Sequence, residues 1–455
     1  MPAGPFCFRR RTDAVASTGR AASILGDARC CVSAGTSSAE TIVAYTRREE
    51  KSRGWAMGTV HGSGSRAVDA RRVGTYAAAV LALQIVVLAV WAMRYYGWHD
   101  RSSPMVGSDF AIFWAAARVA IEHGAAAIFS PGWMQPIEAA LRPFDDFAPW
   151  PYPPTFLLVI LPFGFVPFVF ALVVFATLQI ACYAAVVARV VRPLDTQLRV
   201  AIAAFPGLLG AALTMQNSFM TVAAAAAALL LLESSPVLAG ACIAVLIVKP
   251  QFGVLFPLAL ICGRHWKALI SAGAFSTGIV AVSLAAFGVR AWAAFFAFMP
   301  AFHHNVVEYG DTLRRAMPST ISLARAAGLS VGPAYAVHAV VGVLAVAAVA
   351  DVWIRRSRFA LRAAALAAGT LLVQPYYVYY DLLWLVLPVA FLLLDARNVP
   401  LRRAEIVIVV LAWLAPAQAF VAVISGTGWP VASAMLVALL AMIVRRSREP
   451  APVAA

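Results

Sequence analysis

From residue 73 onward the chain alternates apolar runs with short polar or charged breaks, and the runs have membrane-helix lengths. Runs at 73–93, 153–191, 200–215, 219–232, 237–248, 252–261, 268–287, 333–354, 360–372, 382–394, 406–424 and 431–444 predict about twelve crossings, within a range of about 10–12 transmembrane helices. The expected fold class is all-α: a polytopic transmembrane helical bundle. Pro162 and Pro167 interrupt the first part of 153–191. The runs at 219–232, 237–248 and 252–261 are shorter than the roughly 20 residues of a full crossing. Such helices suggest ends that stop at a cavity, because non-helical backbone at membrane depth is tolerated only inside protein or against a wet space.

Charge orients this pattern. Arg355, Arg356, Arg358 and Arg362, then Arg402 and Arg403, then Arg445, Arg446 and Arg448 mark short inner loops under the positive-inside rule. Threading from these markers puts both termini inside and the two longer polar segments, 101–150 and 289–330, outside. The outer face then collects Asp109, Thr214–Ser218, Val248–Phe252, His303, His304, Asn305 and the stretch QPYYVYYD at 374–381. The inner loops are short and merely basic. Residues 108–124, SDFAIFWAAARVAIEHG, read as an amphipathic helix lying on the outer surface.

Composition agrees with a membrane protein. The 455 residues are 62% hydrophobic and 13% charged, with a mean hydropathy of +0.81, too apolar for an aqueous surface. The net charge of +15 sits in the loop clusters, so its acidic partner is the lipid bilayer and no nucleic acid is implied. Cys182, Cys242 and Cys262 fall in apolar runs, and Cys7, Cys30 and Cys31 lack metal-ligand spacing, so neither a disulfide framework nor a metal site is expected. Residues 1–72 read as a disordered cytoplasmic tail or as a start placed too early, with Met57 the initiator; residues 73–448 form the membrane domain and 449–455 a second cytoplasmic tail. No Walker loop, dinucleotide fingerprint or His-rich motif occurs, and no cofactor is expected.

Two outer-face charges stand out. Asp109 follows Pro104, Gly107 and Ser108 and opens a helical pattern, so it is a general base, a cation ligand or, with Ser108 as the alternative, a helix cap. Lys249 directly follows ACIAVLIV. An ammonium there either snorkels to headgroups or binds an anion such as a lipid phosphate, and Pro250 and Gln251 stop the helix at the charge. His303 and His304, being adjacent, diverge by about 100° on a helix and cannot both face one ligand. Arg314, Arg315 and Asp311 in the same segment read as solvated, with an arginine reaching a cavity as the alternative. The aromatics of PWPYPPTF at 149–156 and of QPYYVYYD, including Tyr152 and Tyr376, suit either an interfacial belt or a surface for the apolar face of a sugar.

The order of SDFAIFWAAARVAIEHGAAAIFSP, YPPTFLLVILPFGFVP, MQNSFMTVAAAAAALLLLE and PVLAGACIAVLIVKPQFGVLFPLALICGRHWKAL resembles the family-87 glycosyltransferases, integral membrane enzymes of GT-C type. The resemblance covers residues 73–298. It implies transfer of a hexosyl or pentosyl unit, in mannosyl- or arabinosyltransferase fashion, from a polyprenyl-phosphate sugar donor to a glycolipid or glycan hydroxyl. The site would face outward across a bacterial cytoplasmic membrane. Asp109 is then the expected general base, Lys249 and Gln251 lie near the donor phosphate with His303 or His304, and Gln216 and Asn217 lie near the sugar. Members commonly carry Gly before Gln-Asn, where this chain has Met215. No second acid is seen beside Asp109. One base and a departing phosphate fit inversion without a covalent nucleophile. A secondary transporter or a lipid or polysaccharide exporter is the alternative, although no internal repeat is found and the polar groups sit at run ends rather than at a midplane.

Overall fold

The computed structural model describes residues 70–141, 148–310 and 314–449. The expectations for the N-terminal tail, for Asp311 and for residues 450–455 lie outside the described residues. Among those described, every regular element is helical. In chain order they are α1 (Ala70–Ala92), α2 (Ser108–His123), α3 (Pro131–Leu141), α4 (Pro154–Ile160), α5 (Phe168–Val191), α6 (Thr196–Ala203), α7 (Gly207–Thr214), α8 (Ser218–Leu231), α9 (Pro236–Val245), α10 (Leu255–Cys262), α11 (Trp266–Phe302), α12 (Thr320–Ala326), α13 (Val331–Ile354), α14 (Phe359–Leu372), α15 (Val386–Ala396), α16 (Arg403–Ser425) and α17 (Ala432–Ser447). Among the described residues, seven helices are long and apolar enough to cross a membrane, and five shorter apolar ones accompany them. The chain is an all-α, multi-pass bundle.

Composition explains which helices lie inside. α14 is rich in alanine and buried over most of its length, and α8 carries a run of six alanines that are largely buried. Small side chains let helix backbones approach closely, which is how helices associate where lipid is as apolar as leucine. The outer helices present large apolar residues instead: Leu83 and Val86 of α1, Ile270 of α11, and Val340 and Val343 of α13 are exposed.

Three expectations change. The run at 153–191 is not one crossing: α4 continues into a 3₁₀ turn, Leu161–Phe165, and α5 begins only after Pro167. A proline cannot donate to the helix ladder, and the residue before it is driven to extended backbone; Val166 accordingly has φ −121°, ψ 159°. The segment at 289–330 is not simply a loop. α11 resumes after a break at Gly288, whose φ of 73° and ψ of 168° are open to glycine, and continues into a π-helical stretch, His303–Glu308. Nor does α2 lie on a surface. Phe110 to Phe113, Ala115 to Ala117 and Val119 are buried, and Glu122 and His123 in its last turn are exposed.

The inner-loop arginines are also more than basic markers. At the end of the bundle where α14 and α16 begin and α15 and α17 finish, Arg446 donates to Asp395 at 2.7 Å and to Glu405 at 2.7 Å, all three side chains being at most 3% exposed. Arg358 binds the other oxygen of Asp395 at 2.5 Å, Arg445 also reaches Glu405, and Arg446 donates to the Val399 carbonyl at 2.7 Å. Four elements are tied together by a charge cluster whose centre, Arg446 with Asp395 and Glu405, is buried. Arg446→Ala leaves the Glu405 and Asp395 carboxylates short of a cation, an expected loss of about 3–5 kcal/mol. Arg355→Ala, which removes an exposed partner of Asp351, should cost less than about 1 kcal/mol. Thermal unfolding midpoints in detergent would read the contrast.

Candidate functional site

The opposite end of the same bundle holds a cavity of about 720 Å³, a size typical of small-molecule sites. It lies where two cores meet: Met105, Ile112, Phe113 and Tyr152 belong to one, and Val378, Tyr379 and Tyr380 to the other. Its polar wall carries Asp109, Gln216, Lys249, Gln251, Tyr376 and Asp381. Its apolar wall includes Trp91, Phe302, Val306, Phe420, Val423 and Ile424, from the ends of α1, α11 and α16 and from the π-helical stretch after α11.

Asp109 arrives through a backbone contact. Gly107 precedes α2 with φ 87°, and its N–H donates to the Leu213 carbonyl at 2.6 Å, pinning the start of α2 to the end of α7. Neither Ser108 nor Asp109 caps the helix, since the capping position is Gly107 and no side chain bonds there. Asp109 sits instead in the first turn, where the helix dipole favours a negative charge, with its carboxylate turned to the cavity. Gln216 Nε2 donates to Asp109 Oδ2 at 2.8 Å, and Ser108 Oγ donates to Oδ1 at 3.3 Å.

Gln216 is itself held. The Tyr152 hydroxyl donates to its Oε1 at 2.9 Å, and the Asn217 N–H adds a 3.2 Å contact. Burial, with charges on Asp381 and Asp109 adding to it, pushes the Tyr152 phenol well above its ordinary value, so it remains a donor at neutral pH. The turn presenting Gln216 passes through Met215 at φ 53°, ψ 46°, a left-handed conformation costing a non-glycine residue roughly 1–2 kcal/mol. A glycine would adopt that conformation without this cost.

Lys249 does not snorkel. It is 5% exposed, and its Nζ lies 2.7 Å from Asp381 Oδ1 and 5.1 and 5.3 Å from the ring centres of Phe252 and Tyr380. It stands between two 3₁₀ turns, Leu246–Val248 and Pro250–Phe252, where the chain leaves α9. Asp381 is 1% exposed, accepts also from Ser218 Oγ at 2.8 Å, and takes the Val378 N–H on Oδ2 at 3.2 Å. A second acid therefore does share the wall with Asp109. The sequence held its signal: a lysine inside an apolar region needs an acid partner, and QPYYVYYD ends in one.

The remaining expectations divide. Tyr152, Tyr376, Gln216 and Gln251 line the cavity, and so does Arg315, whose guanidinium also bonds the Gly426 carbonyl. Asn217 is fully buried behind the wall rather than on it. His303 and His304 also stay off the wall. His303 meets the Tyr335 hydroxyl at 3.0 Å, and both rings approach Glu308, at 3.6 and 3.2 Å. The wider π-helical turn lets adjacent histidines share one carboxylate, which ordinary helical spacing forbids. Among the described residues, no cluster of three or more His, Cys, Asp or Glu side chains is arranged to hold a metal ion.

The model of glycosyltransferase family 87 matches residues 150–375, a stretch that contains Tyr152, Gln216, Lys249 and Gln251 and stops just short of Tyr376 and Asp381. No curated protein and no solved structure matches the chain. The family match decides between the enzyme and transporter readings in favour of the enzyme.

Gly107→Ala tests the anchoring of Asp109. A Cβ at Gly107 would lie 2.6 Å from Leu172 Cδ1, at a positive φ. The expected loss is about 1–3 kcal/mol, read as a lower unfolding midpoint. Gly273→Ala, in open space on α11, should leave the midpoint unchanged or raise it by up to about 1 kcal/mol.

Proposed function

Because the chain is, over residues 150–375, a glycosyltransferase of family 87 embedded among membrane-spanning helices, we propose that it transfers a hexosyl or pentosyl unit from a polyprenyl-phosphate sugar to a hydroxyl of a glycolipid or glycan, with inversion. The observation that carries this reading is Asp109: a carboxylate on the cavity wall, aligned by Gln216 and backed by Tyr152. In the reaction the acceptor hydroxyl gives its proton to Asp109. Its oxygen bonds the anomeric carbon from the side opposite the phosphate, and the anomeric C–O bond breaks with its electron pair leaving on the polyprenyl phosphate. A phosphate leaves readily, so the groups required are one base and cations near the departing charge.

Lys249 and Gln251 supply donors on the wall, and Arg315 stands on it as a further cation. Two ammonium N–H groups of Lys249 remain for a phosphate after the bond to Asp381. Between the two acids the assignment as base goes to Asp109, the acid that the family resemblance implies for that role, while Asp381 is bonded to the Lys249 ammonium. Gln216 is accordingly an aligning residue for the base more than a sugar ligand. Tyr152 and Tyr376 offer ring surface for the sugar. The apolar wall suits prenyl or acyl chains arriving from the bilayer. With the arginine-rich end of the bundle taken as cytoplasmic, the cavity faces outward, both termini lie inside, and the membrane is the bacterial cytoplasmic membrane.

Membranes containing the protein, supplied with a panel of radiolabelled polyprenyl-phosphate sugars, provide the test. Asp109→Asn keeps size and hydrogen bonding but takes no proton, and should lower transfer by roughly 10²-fold or more at normal protein levels. Equal product from the variant would remove Asp109 as the base.

A further inference from the structure

The pair Lys249–Asp381 removes two charges from water, which is costly, and does so on the wall of the cavity. Both residues are buried, yet both border the cavity rather than the packed interior. An ammonium in such surroundings keeps its charge only if an acid or a bound anion faces it. Asp381 meets that need from a fixed position: it lies in the first turn of a 3₁₀ helix, Tyr379–Leu385, with Oδ1 shared by Lys249 and Ser218 and Oδ2 held by the Val378 N–H. Its oxygens are engaged by these donors, while the Lys249 ammonium, on the same wall, has donor capacity left.

We propose that Asp381 is the positioning residue of the site. It holds the Lys249 ammonium in place on the cavity wall before the donor arrives, so that the phosphodiester of the donor meets a pre-positioned cation. The inference rests on the reading of this cavity as the donor-phosphate site. Asp381 touches neither the sugar nor the reacting bond. Its effect on phosphate binding passes through Lys249, and that makes the two residues thermodynamically coupled.

Coupling is measurable with a double-mutant cycle. The probe is the methyl phosphodiester of a short polyprenol, which carries the single phosphate charge of the donor and cannot transfer a sugar. Binding to the full chain in nanodiscs is measured for the wild type, Asp381→Asn, Lys249→Met and the double variant. Each single substitution should weaken binding by roughly tenfold or more. The double variant should bind no more weakly than Lys249→Met, because the carboxylate has nothing left to position. Asp381→Glu, which keeps the charge, should recover most of the affinity.

Wild-type affinity in Asp381→Asn, or losses that multiply in the double variant, would overturn the role of Asp381 while leaving the phosphate site intact. Wild-type affinity in Lys249→Met would instead overturn the reading of Lys249 as a phosphate ligand, and the inference with it. If Asp381→Asn alone does not survive extraction from membranes, recovery of folded protein on adding Lys249→Met supports the pairing, and no recovery overturns it.

Discussion

A charge inside a low-dielectric bundle must meet an opposite charge or a full set of hydrogen bonds, and this constraint organises the molecule. At one end, Arg446 and Arg358 close on Asp395 and Glu405 and draw four elements together. At the other, Lys249 closes on Asp381 against the wall of a cavity. The two arrangements obey the same electrostatics but differ in what surrounds them. The first is enclosed by helix ends and a backbone carbonyl. The second faces open volume, and a charge that faces a cavity can act on something that enters it.

The cavity exists because several helices stop short. α7 ends at Thr214, the chain turns through the left-handed Met215, and α8 begins at Ser218; α9 gives way to 3₁₀ turns on either side of Lys249. Each interruption frees backbone polar groups, and each places a polar side chain beside them. Gln216 and Lys249 occur at such breaks, and Asp109 at the start of a helix pinned by Gly107 to the end of α7. Strain and broken helices thus coincide with the polar wall, the coincidence expected where precise side-chain placement outweighs local stability.

That wall is chemically asymmetric. Asp109 accepts from Gln216 and Ser108, and Asp381 from the Lys249 ammonium, so two carboxylates on one cavity stand in different surroundings. Trp91, Phe420 and Phe302 across the space add an apolar surface that water-soluble sugars alone would not require. A polar centre flanked by lipid-like wall fits reactants with a charged or hydroxylated head and a hydrocarbon tail.

Much of this was legible in the chain. Run length and arginine placement determined a polytopic helical protein, sorted polar residues toward one end, and singled out Asp109 and Lys249, because hydrophobicity and charge act locally and leave a periodic record. Long-range partners leave no such record. The sequence does not show that Gln216, 107 residues from Asp109, holds that carboxylate, or that Asp381, 132 residues from Lys249, neutralises that ammonium. Nor does it show that π-helical winding takes His303 and His304 to Glu308 and off the cavity wall. Only the packed tertiary structure decided those pairings, since a hydrogen bond between distant residues depends on where whole helices end and at what depth they sit.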